Sequence, residues 1–244
     1  MSKKERKKSQ YQKKTDNLLI ILGVAALIII PYISFEFAYA SDIYLLTFSQ
    51  IAGRFGEQNR LIIWGISLLT FFGIVVMYVN TLLKNRSILL NILLGIMVFL
   101  YLVTVLVPFI PSFERVISDI HNYCAYLAVI VTVLYLFIFI GSFYKYDKAL
   151  FWKAFISLLL VVLIMVLLYI KWGTSSIWQA VFSTAICVYL YFTMLLVIRS
   201  PYTDPEKTMR ELIEERKKRE KEKEEYIEKT EKYYQARKEK KEKK

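Results

Sequence analysis

The side chain best suited to chemistry in this sequence is His121, the only histidine among 244 residues. It stands in SDIHNYCAYLAVI, with Asp119, Asn122 and Cys124 close by. Imidazole changes charge near neutral pH, so a histidine at a membrane edge can bind a headgroup, relay a proton or ligate a metal. Glu36 and Asp42 could converge with it, and a carboxylate beside an imidazole favours the cation, as in a pH-sensitive site. His121, Asp119, Glu36 and Asp42 are therefore the candidate ligand-binding residues. The competing reading has the imidazole snorkelling at the interface and the acids keeping a loop soluble. No metal is expected, because one histidine with scattered carboxylates lacks the several converging ligands a metal needs.

The elements that must position these residues are apolar helices. Hydrophobic residues make up 56% of the chain and aromatic ones 16%, and mean hydropathy is +0.40. The apolar residues come in blocks while charge collects at the ends and in short connectors, as a membrane imposes. Leu18 to Phe35, LLIILGVAALIIIPYISF, carries no charge and spans about 27 Å at 1.5 Å per residue, close to a bilayer core. Further runs follow at 61–83, 88–107, 122–143, 154–170 and 177–198. The expected architecture is all-α, with six transmembrane helices over 18–198 between a basic leader (1–17) and a charged tail (199–244). Ala38-Tyr39-Ala40 has the form of a signal-peptidase site, and cleavage there would leave five spans.

Charge sets the orientation. The leader carries seven Lys/Arg, and with six spans the inside segments hold 29 Lys/Arg against four outside: Arg54, Arg60, Arg115 and Lys171. The positive-inside rule then places both termini in the cytoplasm, and a plasma membrane is expected. The net charge of +12 sits where topology requires it, so nucleic-acid binding is not expected. The connection at 36–60 reads as an external loop whose segment IYLLTFSQIAG lies along the interface or folds back on the helices. Pro108 and Pro111 end the third span.

Asp204-Pro205-Glu206 is a helix start. Beyond it acids precede bases by four at Glu206/Arg210, Glu214/Lys218, Glu215/Arg219, Glu225/Lys229, Glu228/Lys232 and Glu239/Lys243, supporting a solvated helix of roughly 60 Å. Ile213, Ile227 and Tyr234 share a heptad position that Glu220 interrupts, so a coiled coil pairing two copies would be weak. A single helix and a disordered tail are the other readings.

No Asp, Glu, Lys or Arg lies mid-membrane in any span, which argues against a proton or ion pump. A single histidine excludes two-histidine haem ligation within the chain, and there is no Gly-rich phosphate loop or HExxH, so no cofactor is expected. Asn80, Asn91 and Gln179 are expected to make interhelical hydrogen bonds, and Gly65 and Gly73 to let helices approach closely. Cys124 and Cys187 read as buried thiols.

Six spans with both ends inside, Ser41-Asp42 in a long first external loop, and Pro108 and Pro111 before His121-Asn122 and Ala125 resemble the DRAM/Frag/Sfk-like group of six-helix membrane proteins. That group's Pro-Glu-type feature in the first loop is not evident, so no binding role carries over to Asp42 or Glu57. The resemblance implies a non-enzymatic membrane protein linked to lipid homeostasis, with His121 on the outer side. The function expected is binding of a lipid or small molecule at the outer face and of a cytoplasmic protein partner through 204–244. The alternatives are a permease-like transporter subunit and a lipid-modifying membrane enzyme.

Overall fold

The first apolar run contains Pro31, which lacks an amide proton and whose ring crowds the carbonyl four residues earlier. The computed structural model, which describes residues 15–109, 115–201, 203 and 205–242, shows how the helix absorbs it. Helix α1 (Thr15–Ala38) widens into a π turn at Ala25–Ile29, closed by the Ile30 amide on the Ala25 carbonyl, immediately before the proline.

Helices α2 (Phe48–Phe55), α3 (Gln58–Leu82), α4 (Ile88–Leu106), α5 (Arg115–Gly141), α6 (Lys148–Trp172) and α7 (Ser176–Ile198) follow, and a 3-10 turn at Ser142–Lys145 extends α5. The described residues form no strand. All but α2 are long and apolar enough to cross a membrane, which makes this a multi-pass membrane protein. Local chemistry fixes several ends. The Leu90 amide donates to Ser87 Oγ at the start of α4, and the Ala149 amide to Asp147 Oδ1 at the start of α6. Gly173, at φ 62°, ends α6. Two boundaries depart widely from the sequence expectation. Helix α6 begins at Lys148, six residues before the expected 154. Helix α5 begins at Arg115, not near residue 122, so Asp119 and His121 are helical; Pro111 and the leader up to residue 14 lie outside the described residues.

Helix α7 is central, packed against α1, α3 and α6, while α4 lies between α3 and α5, and α5 also meets α6. The core joins Phe72, Val75 and Val76 of α3 to Tyr135, Leu136 and Phe139 of α5 and to Leu190 and Met194 of α7. The Tyr135 ring stands 5.7 Å from that of Phe72 and 5.9 Å from that of Phe139. On α6, Ile156, Leu160, Leu163 and Leu167 point outward, where lipid would cover them. Because lipid tails are as apolar as the core, close packing and polar contacts hold such helices together. Gly65 shows the first: a Cβ there would stand 2.3 Å from Val105 Cγ2 across the α3–α4 contact. Gly73, expected to do the same, has nothing within 4 Å of its Cβ position.

Residues from 204 onward form a second unit, the helix α8 (Pro205–Glu242). Along it Arg219 pairs with Glu215 at 3.6 Å, as its spacing suggests, while Lys218 reaches forward one turn to Glu222 at 3.9 Å rather than back one turn to the Glu214 expected.

Gly65→Ala should destabilise the bundle by about 1–3 kcal/mol through overpacking against the stiff Val105. Gly73→Ala should leave stability unchanged or raise it, since alanine is the better helix former. Thermal melting of both variants in one detergent checks the contrast.

Candidate functional site

The connector from 39 to 57 is where the site is built. It is not an open loop, for its inner part folds back on the bundle. Thr47 and Gln50 form a capping box, in which Thr47 Oγ1 accepts from the Gln50 amide (3.2 Å) and Gln50 Oε1 from the Thr47 amide (2.9 Å). Gly56, at φ 73°, ends the helix. Between these stops α2 turns Phe48, Ile51 and Ala52 inward against Phe37, Ala38, Leu61 and Ala180. Phe48 stacks on Phe37 at 4.7 Å and meets Trp64 edge-on at 4.8 Å.

Backbone groups tie the connector to the start of α7, whose first amides have no partner within their own helix. The Ser176 amide donates to the Leu46 carbonyl (2.6 Å) and the Ile177 amide to the Ile43 carbonyl (3.0 Å). In return Gln179 Oε1 accepts the Phe48 amide at the start of α2 (2.7 Å). Gln179 thus makes the kind of bond expected of it; Asn91 is exposed, and Asn80 Oδ1 is buried without a partner. Gly53 is required where α2 passes α4's end, for a Cβ there would stand 2.3 Å from the Phe109 carbonyl oxygen.

His121 joins three segments at this end of the bundle. It is 1% exposed, so it does not snorkel at an interface. Its Nδ1 lies 2.8 Å from the Val107 carbonyl, left over at the end of α4, and its Nε2 lies 2.7 Å from Ser49 Oγ on α2. A carbonyl can only accept, so Nδ1 carries the proton, and Nε2 of the neutral ring accepts the Ser49 hydroxyl.

The three carboxylates expected beside His121 go elsewhere. Glu36 pairs with Arg60 at 3.3 Å, and Arg60 also holds Glu57 at 3.1 Å, which ties the end of α1 to the start of α3. Asp42 Oδ1 accepts the Tyr44 amide (3.0 Å) within a turn. Asp119 is exposed, two residues from the buried His121 and so on the opposite side of α5. Among the described residues no group of three His, Cys, Asp or Glu side chains could hold a metal. Cys124 and Cys187 are both free thiols, Cys187 buried and Cys124 half-buried.

Two adjoining hollows run through the bundle, sharing Trp64, Tyr101 and Phe182 in their walls. One reaches Phe72, Met97 and Ile186 between α3, α4 and α7; the other extends past Ala125 and Ala128 of α5 to Phe48 and Ser49 of α2. The walls are mainly apolar, and Ser49, Thr104 and Gln179 bring polar groups to the connector end. The chain matches no family model, no curated protein and no solved structure.

Ser49 was not singled out by its sequence context. The Thr47-x-x-Gln50 box could have marked α2, but the partner of Ser49 lies 72 residues away.

His121→Ala should cost about 1–3 kcal/mol, since it strips bonds from groups held away from water. Arg60→Ala breaks a half-exposed pair and should cost under about 1 kcal/mol. Unfolding midpoints of the two variants, measured side by side, test that order.

Proposed function

We propose that the chain is a plasma-membrane protein that holds a lipid, or a small molecule of similar shape, in the cavity bordered by α2. The observation that carries this is the lining of the two adjoining hollows: mainly apolar walls, with Ser49, Thr104 and Gln179 on the connector side, suit a molecule with an apolar body and a polar head. The binding site thus moves from the carboxylates read in the sequence to the space beside Ser49, Gln179 and Trp64.

Charge supports an orientation for it. Lys84, Arg86, Lys145, Lys148, Lys153 and Arg199 all fall at the ends of helices opposite the connector, so that end faces the cytoplasm and the cavity's polar end faces out. The resemblance to the DRAM/Frag/Sfk-like group fits a role in lipid homeostasis. The second unit contacts a cytoplasmic protein or anionic headgroups through α8, where Glu214, Lys217 and Lys221 are exposed to make such contacts.

Native mass spectrometry of the full chain from mild detergent should show a retained lipid, and Ala125→Trp, which fills the cavity, should reduce it at least tenfold. A lipid-free wild type, or equal retention by the variant, contradicts the reading. Stopping the chain after Ser200 should remove a co-purifying protein and leave the lipid in place; an unchanged protein complement contradicts the role given to the tail.

A further inference from the structure

We propose that Ser49 is a nucleophile, with His121 as its general base, and that the pair cleaves an ester bond of a lipid held in the cavity. The proposal rests on the cavity being a lipid site and adds a reaction to it.

The geometry is that of an activated hydroxyl. An unassisted serine is a poor nucleophile; it becomes a competent one when a base lies within hydrogen-bond reach and a third group orients that base. All three parts are present. Ser49 Oγ stands 2.7 Å from His121 Nε2, and the Val107 carbonyl holds Nδ1 at 2.8 Å. The carbonyl takes the place that a carboxylate has in a catalytic triad, fixing the tautomer that leaves Nε2 free to accept a proton. His121 is buried while Ser49 is half-buried and lines the cavity, so the base is shielded and the hydroxyl faces the space a substrate would fill.

The same wall offers a donor for the charge that develops. Gln179 lines the cavity and uses its amide oxygen on the Phe48 amide, so its NH2 group is the part of that side chain assigned to the developing charge.

The reaction balances with water as co-reactant. Ser49 Oγ bonds to the ester carbonyl carbon as its proton passes to His121 Nε2. The tetrahedral intermediate collapses, the ester C–O bond breaks, and the departing alcohol takes that proton. Water, deprotonated by His121, then attacks the acyl-serine, releasing a fatty acid and restoring the hydroxyl. The apolar walls would hold the acyl chain, and the departing alcohol, a lysolipid when the substrate is a phospholipid, would leave at the connector end.

A hydrogen bond that merely pins α2 would show the same distances, so the test must read reactivity. The full chain in lipid nanodiscs is treated with a long-chain alkyl fluorophosphonate, which captures serines that have a working base, and the modified peptide is mapped. Release of fatty acid from phosphatidylglycerol and phosphatidylethanolamine carrying a fluorescent acyl chain is followed in parallel. Labelling at Ser49, lost with Ser49→Ala, and a fall in fatty-acid release of at least 100-fold in that variant are expected, with its melting temperature confirming that it is folded. Ser49→Cys should restore capture of thiol reagents at a rate that rises with His121 intact. Retained lipid without labelling or release above the Ser49→Ala level overturns the nucleophile and leaves the cavity reading standing. Absence of both lipid and labelling overturns the two together.

Discussion

Where a helix ends at the edge of a bilayer, its first amides and last carbonyls need partners that water supplies only in part. This constraint organises the connector end of the molecule. Ser176 and Ile177 place their amides on the carbonyls of Leu46 and Ile43, Gln179 takes the first amide of α2, and His121 takes the leftover carbonyl of α4. Each is a polar group of one segment answered by another far away in sequence. Together they turn a stretch that could have hung loose into a folded border for the cavity. The arrangement is reinforced by Phe48, which lies between Phe37 and Trp64, while the Trp64 indole donates to Ser34 Oγ (3.0 Å), itself 3.1 Å from Ser183 Oγ.

At the opposite end side chains do the joining: Asn85 Nδ2 donates to Ser142 Oγ (3.0 Å) and Ser200 Oγ to Asp147 Oδ2 (3.3 Å). The connections are short, helices are capped by their own neighbours, and cations crowd the turns. The asymmetry fits a molecule with its working end on one side. Aromatic rings pack together at Phe72, Tyr135 and Phe139, and the small side chains Ala125 and Ala128 line the outer hollow with Trp64 and Phe182.

The number and rough position of the spanning helices were legible because uncharged runs of about 20 residues have few other readings. Their ends were less so. Helix α5 starts seven residues earlier than its apolar run because Arg115, Asp119 and His121 look like loop residues, yet the outward side of that turn accepts charge while His121 faces in. The π turn before Pro31 needs knowledge of how the neighbouring turn is packed. Helix α2 was half legible, its apolar face visible and its capping box present in plain sequence. The site itself was not. Glu36, Asp42 and Asp119 are the residues that charge and proximity to His121 select, and each has a local answer in Arg60, the Tyr44 amide or solvent. Ser49 has nothing local to mark it, for its partner is supplied by the fold.

The account depends on the connector being folded onto the bundle, and amide hydrogen exchange of the full chain in nanodiscs tests that most directly. The amides of Phe48, Ile51, Ser176 and Ile177, all hydrogen-bonded here, should exchange at least about 100-fold more slowly than an open loop. Exchange at open-loop rates throughout 41–57 would contradict it, and with it the border of the cavity and the pairing of Ser49 with His121.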